Sequence, residues 1–223
     1  MNTDMIIGQI RQNRNPEQAV IHKRYHKSNL HFNGLPVPLM RKIAADTLRE
    51  IRSPDELFRL FDDLWQIKDF ETRNIAVFIM MKRIKWLERD HFEIFYPLLK
   101  ECDGWALTDY IGIKILGAFL RKLPDYHDHV DLWKADDHLW VRRAGILRFI
   151  AMAKYKDPWP ERMEPVLLFH MPETDFFIRK VIGWNLREWA RTDPPKVISY
   201  VKQHRNKMST LSFREATKHL EIS

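Results

Sequence analysis

An all-α fold is what this sequence predicts, and three features predict it. The seven glycines are few and scattered, and no Asn-Gly or Asp-Gly hairpin punctuates alternating strands. The repeated apolar patterns have helical period, and most prolines fall between them. Trp65, Trp105, Trp140 and Trp184 each sit at a helix start or on a helix face, at intervals of 40, 35 and 44 residues. Helix pairs recurring at about that interval build an α-α superhelix, a solenoid of the HEAT or armadillo kind, in which each pair buries its apolar face on its neighbours. No Gly/Ser- or Pro-rich linker interrupts the series, so the expectation is a single domain over residues 1–223 with a concave surface. A compact helical bundle has the same periodicity and stays as the alternative.

The elements follow in order. Residues 3–12 form a short helix, and Asn15-Pro16-Glu17 starts another with proline at the first helical position. That second helix carries His22, Lys23, Arg24, Tyr25, His26 and Lys27, a basic patch with an aromatic inside it. Asn33-Gly34-Leu35-Pro36 breaks it, and a third helix runs from Pro38 to Arg52. Ser53 caps the next helix, with Asp55 and Glu56 in its first turn. Helices are then expected at about 53–66, 69–86, 88–101, 104–122, 124–134, 137–155, 158–170, 173–192, 194–205 and 209–221.

Three of these carry unusual residues. Over 173–195, Thr174 and Asp175 cap the start and Pro194-Pro195 end the run. Ile178, Val181, Ile182, Leu186 and Trp189 form the core stripe. Trp184 falls on the far side, with Lys180 four before, Arg187 three after and Arg191 seven after, a composition suited to a polyanion. The plainer alternative is a tryptophan packed on a neighbouring helix among solvated cations. In the helix from 104, Asp109 is a lone carboxylate four residues after Trp105, on a stripe with Gly112, Ile113 and Leu116. A carboxylate in such a place needs a cationic partner or a chemical role. In the helix from 137, Arg143 lies on an apolar stripe with Trp140, Leu147 and Ile150, where a planar guanidinium can grip a carboxylate or a phosphate. A salt bridge or a helix-start contact is the plainer alternative for Asp109, and a purely structural Arg143–Asp109 tie between adjacent repeats is the plainer alternative for Arg143. Arg142 lies close to the same face, and Arg148 faces solvent.

Composition excludes several classes. Lys+Arg number 37 against 30 Asp+Glu, giving a net charge of +7; the pI near 9.5 suits an anionic partner. Cys102 is the single cysteine, so no intrachain disulfide forms and a reducing compartment fits. The start is not a signal peptide, and the longest apolar run, Ile75–Met81, is far short of the roughly 18 residues of a membrane span. A cytoplasmic protein without a membrane partner is expected. There is no phosphate-binding glycine loop, paired-cysteine zinc pattern or Gly-x-Ser-x-Gly elbow. His22 with His26 lacks a third ligand, and Asp125–Asp131 reads as a solvated connection, so no metal and no cofactor are expected.

Trp105-x-x-x-Asp109, Trp140-Val141-Arg142-Arg143-Ala144 and the run from Phe176 to Glu188 together resemble the DNA alkylation repair family of AlkD type. Leu64-Trp65 with Glu71 and Arg73 is similar to that family's earlier repeats, and Arg24-Tyr25-x-Lys27 to its N-terminal helix. The likeness extends from about residue 16 to the end. It implies a solenoid of HEAT-like repeats with a concave basic groove for duplex DNA. It also implies excision of N3- and N7-alkylated purines by hydrolysis of the N-glycosidic bond, with the lesion left stacked. By position it places the catalytic carboxylate on Asp109, the sugar- and backbone-contacting tryptophans on Trp105 and Trp184, the lesion-strand arginine on Arg143 and the N-terminal tyrosine on Tyr25. Lys27, Arg148, Lys180, Arg187 and Arg191 complete the expected DNA-contacting set. Many members have an acid directly after the first tryptophan, where this chain has Ala106.

The chemistry suits these residue types. An alkylated purine is cationic and leaves without a general acid, while the sugar becomes oxocarbenium-like as the bond breaks. A preorganised carboxylate opposes that charge and orients water, and tryptophan faces stabilise a nearby cation. The expected function is therefore an alkylpurine DNA glycosylase of base excision repair. A non-catalytic HEAT-repeat module binding DNA or protein is the alternative.

Overall fold

The computed structural model describes residues 2–221. The chain is all-α: 72% of the described residues are helical and they contain no strand. The α-helices are α1 (Thr3–Gln12), α2 (Pro16–His26), α3 (Val37–Leu48), α4 (Pro54–Gln66), α5 (Phe70–Met81), α6 (Phe95–Lys100), α7 (Trp105–Tyr110), α8 (Gly117–Lys122), α9 (His127–Asp131), α10 (Leu139–Lys154), α11 (Met163–His170), α12 (Phe176–Trp189), α13 (Pro194–Gln203) and α14 (Thr210–Ala216). Among the described residues, no helix is long and apolar enough to cross a membrane. Two compact units divide the chain: the residues up to Glu88 with Cys102–Tyr110, and Arg89–Glu101 with the residues from Ile111 onward.

The first unit is built on α5, whose residues Phe70–Met80 are all buried. A helix buried on every side has to be surrounded, and α1, α3, α4 and α7 pack on it. Its N-terminus is held by side chains. Asp69 caps it, accepting from the Thr72 amide at 3.0 Å. Glu71, 0% exposed, accepts from the backbone amides of Asn33, Gly34 and Leu35 at 2.9, 2.8 and 3.2 Å. Trp65 is core, stacked on Phe61 and covered by Arg73, whose Nε donates to the Trp65 carbonyl.

The second unit is built on α10, buried at Val141, Arg143–Ala151 and Ala153. It packs against α6, α8, α12 and the π-helical segment Ile111–Leu116. In α12 the expected core stripe holds: Ile178, Val181, Ile182, Leu186 and Trp189 are at most 1% exposed. Asp175 caps it, accepting from the amides of Phe177 and Ile178 at 2.7 and 3.2 Å. Helices α12 and α14 approach closely at Gly183, where a Cβ would lie 2.5 Å from Glu215 Cβ and 2.6 Å from the Ser212 carbonyl. Only glycine permits that contact.

Several expectations are corrected. The helix expected over 104–122 is α only to Tyr110 and again from Gly117. Between them the π segment reaches five residues back instead of four, so 3.6-residue spacing cannot place Gly112 and Leu116 on the Asp109 stripe. Gly112 is not bare either, since a Cβ there would lie 3.0 Å from Leu147 Cβ. Helix α12 ends at Trp189, and Pro194 opens α13 instead of stopping its predecessor.

Arg148, expected to face solvent and reach DNA, is 1% exposed. Its Nε donates to the Gly145 carbonyl at 3.0 Å and its Nη1 to the His127 carbonyl at 3.0 Å, while Nη2 pairs with Asp131. Asp131 also accepts from Arg162 at 2.8 Å. The reason is the burial of α10 on nearly every side: a residue opposite its apolar stripe meets another element, not water. Burial lowers the Arg148 guanidinium to about 10 despite Asp131. Burial, with Arg148 adding to it, lowers His127 to about 4. The segment 125–131, expected to be solvated, is thus partly a buried ion-pair network.

Arg148→Ala leaves two carbonyls without their donor and removes one partner of a buried charge, a change that costs about 3 kcal/mol. Tm should drop by roughly 6–12 °C, with duplex affinity of the folded variant unchanged. Weakened DNA binding at unaltered Tm would return Arg148 to the interface.

Candidate functional site

In the first unit the site is made where α2 ends and α7 begins. Helix α7 buries Ala106, Leu107 and Thr108 and sets the ring of Tyr110 edge-on to Phe78 at 5.0 Å. Trp105 and Asp109, one turn apart, occupy its other side, and both are half-buried. Ala106 points into the core at 8% exposure, so an acid at that position would have to be buried here. Tyr25 is 67% exposed near the end of α2. The helix stops at exposed Lys27, left-handed with φ 52°, whose amide donates to the Lys23 carbonyl at 2.9 Å.

The rings meet in a defined order. Tyr25 stands edge-on to Trp105, with centroids 5.4 Å apart and planes at 86°. His26 packs against Trp105 at 5.0 Å and Phe70 at 4.5 Å, and stacks on Phe32 at 5.9 Å. Its Nδ1 is buried without a hydrogen-bond partner. Burial first, and then the neighbouring His22, lower His26 from 6.5 to about 4, so the ring is neutral near pH 7. Asp103 joins the two elements, accepting from Ser28 Oγ at 3.1 Å, Asn29 Nδ2 at 3.3 Å and the Asn29 amide. The sequence singled out Tyr25, Trp105 and Asp109 as candidates but gave His26 and Asp103 no part in this junction. His26 was visible only as one of six residues in a basic patch, and the contacts of Asp103 bridge some 75 residues of chain.

In the second unit the cations of α12 are paired. Lys180 Nζ lies 2.6 Å from Glu215 Oε1, and Arg187 pairs with the other oxygen of the same carboxylate. Burial alone would raise the Glu215 carboxyl; hydrogen bonds from Lys180 and Arg187 outweigh it and hold the group below the usual range. Arg191, largely exposed, lies 3.4 Å from Glu188. Trp184 does not stand clear of the core. It packs partly against it, and its Nε1 donates to Glu188 Oε1 at 3.1 Å. The ring is half-covered, and acids answer the cations beside it. Arg143 is 3% exposed, donates to the Phe177 carbonyl at 2.6 Å and lies over the Phe177 ring. At that burial the guanidinium meets protein, not a phosphate. Among the described residues no group of three or more His, Cys, Asp or Glu converges as a metal site would require.

The sequence profile of the DNA alkylation repair enzymes matches residues 6–220. The chain belongs to this family. As a DNA alkylation repair protein, it is similar in structure to a predicted DNA alkylation repair enzyme from Enterococcus faecalis, with a TM-score of 0.83 at 21% identity over 94% of this chain and 98% of that one. AlkD2 from Streptococcus mutans matches with a TM-score of 0.63 at 15% identity, over 92% and 99% of the two chains. The smu.31 protein of Streptococcus mutans UA159 matches at 0.62 and 14%, over 95% and 100%. At such identities these likenesses show the shared fold. Among curated proteins, none matches the chain.

The histidines give this repair protein an acid-side stability profile. Unfolded, His26 and His127 take a proton near 6.5; folded, each does so only near 4. The unfolded state therefore binds more protons across that interval, and stability falls as pH drops from about 6.5 to about 4. Thermal melts at intervals from pH 7 to pH 4 should show Tm declining, and His26→Phe should flatten part of the slope. An unchanged slope in that variant would contradict the neutral, buried His26.

Proposed function

We propose that this protein is a monofunctional DNA glycosylase that hydrolyses the N-glycosidic bond of cationic N3- or N7-alkylated purines in duplex DNA, acting as a monomer without metal or cofactor. The observation that carries this reading is the Tyr25–Trp105 ring pair with the Asp109 carboxylate one turn further along α7. A half-buried acid beside an exposed tyrosine ring suits a cation growing on the sugar better than it suits phosphates, which it repels. Membership of the DNA alkylation repair family agrees with it.

In this mechanism the alkylated base departs as a neutral purine, so no side chain protonates it. Asp109 opposes the positive charge that grows on the sugar and orients the attacking water. Trp105 and Tyr25 present ring faces and edges to the sugar and its flanking backbone, excluding solvent and stabilising the cation. In the second unit the half-covered ring of Trp184 offers a surface to the DNA backbone. Exposed Lys27 and Arg191 follow phosphates. Lys180 and Arg187, already donating to Glu215, would divide their hydrogen bonds between that carboxylate and a phosphate. Neutral lesions, which need a protonated leaving group, are excised poorly.

Asp109→Asn keeps the side chain's shape and removes its charge. Release of 3-methyladenine and 7-methylguanine from methylated duplex, measured in single turnover, should slow about 10²–10³-fold. Duplex affinity should not fall, and Tm should stay near the wild type. Parallel loss of excision, affinity and Tm would make Asp109 a structural residue. A wild-type protein that binds duplex yet releases no alkylated base would leave the DNA-binding module as the function.

A further inference from the structure

We propose that Asp103 and His26 are positioning residues for the Tyr25–Trp105 ring pair: Asp103 ties the exit of α2 to the entry of α7, and His26 wedges behind Trp105, so that the two rings stand edge to face before DNA arrives. The glycosylase reading supplies only the purpose of that arrangement; the arrangement itself rests on contacts within one unit.

Three donors converge on the Asp103 carboxylate, from Ser28 Oγ, Asn29 Nδ2 and the Asn29 amide. Ser28 Oγ in turn accepts from the Leu30 amide at 3.1 Å, which orients its hydroxyl toward Asp103. A carboxylate only accepts, and both its oxygens are used; asparagine offers one oxygen and would turn an amide donor toward one of these donors. The next residue, Gly104, has φ +149°, a backbone conformation that side chains strongly disfavour, and a Cβ there would meet the His26 carbonyl at 3.4 Å. The last carbonyls of α2 thus lie directly against the first backbone of α7.

His26 fills the angle behind this junction. Its ring touches Trp105 and is held by Phe32 and Phe70. The cavity lined by His26, Ser28, Phe70, Asp103, Gly104 and Ala106 is only about 10 Å³, room for no more than one water. The ring is therefore packed in place, and its unpartnered Nδ1 shows that it is kept for shape and not for a hydrogen bond. Because Asp109 lies one turn from Trp105 on the same short helix, tilting the indole changes what the carboxylate faces. Misplacement of about 1 Å costs up to about 10² in rate.

The test uses full-length protein carrying 5-fluorotryptophan, with the Trp105 ¹⁹F resonance assigned by its loss in Trp105→Phe. Asp103→Asn and His26→Ala should shift or broaden that resonance while the lines of the other tryptophans stay put. Both should slow single-turnover excision of 7-methylguanine at saturating protein roughly 10–100-fold and leave duplex affinity within about threefold. His26→Phe, which restores a flat ring, should recover resonance and rate relative to His26→Ala. A Trp105 line unmoved in both variants overturns the proposal, as does movement of all the tryptophan lines together, which would mean general loosening. An altered Trp105 line with excision at the wild-type rate overturns it too. A Trp105 line that responds as expected in a wild-type background that excises nothing supports the positioning and instead defeats the glycosylase reading.

Discussion

Glu71 carries the constraint on which the first unit depends. A stack of short helices leaves backbone amides exposed at every junction, and a junction packed against other helices cannot borrow water for them. Glu71 has no exposed surface and spends both oxygens on the amides of residues 33–35. Asp69, two residues earlier, holds the Asn33 side chain and the His31 ring while it caps α5. Desolvating such a carboxylate costs several kcal/mol, and hydrogen bonds to charged groups return about 1.5–3 kcal/mol each, so the arrangement is near balance. Its effect is to fix where the chain runs between α2 and α3. The second unit uses the same device with opposite charge. Buried Arg148 satisfies carbonyls at Gly145 and His127, and the Asn185 side chain donates to the Ile146 carbonyl at 2.7 Å.

The candidate chemistry hangs on this framework. With the 28–36 connection pinned from behind by Asp69 and Glu71, its front end is available to Asp103, and the exit of α2 becomes a fixed point. Tyr25 can then be largely exposed and still have a defined ring orientation. In the second unit, the close approach at Gly183 is what lets α14 deliver Glu215 to α12. A side chain at 183 would push α14 away and uncover Lys180 and Arg187. The net charge of the chain is positive, yet the cations beside Trp184 are tempered by Glu188 and Glu215. Such pairing keeps long side chains ordered and limits indiscriminate attraction to phosphate.

The all-α class, the stripe of α12, the start of α2 at Asn15-Pro16 and the caps at Ser53 and Asp175 were legible in the sequence, because each depends on residues within a turn or two of one another. Trp105, Asp109 and Tyr25, the residues proposed for the site, were singled out by residue type and spacing and by a family likeness that runs nearly the length of the chain. What only the tertiary structure decided is which polar side chains are spent internally. Arg148 looked solvent-facing because periodicity locates the apolar side of a helix but says nothing about a second layer covering the other side. The internal roles of Glu71, Asp103 and Glu215 left no local signal, since the amides and cations they serve lie 28 to 75 residues away. The π segment after Tyr110 is likewise set by packing against α10, which local pattern cannot register. Local pattern fixes what a helix is and which side it hides first. The partners of a buried charge are fixed by helix against helix, and there the sequence alone is silent.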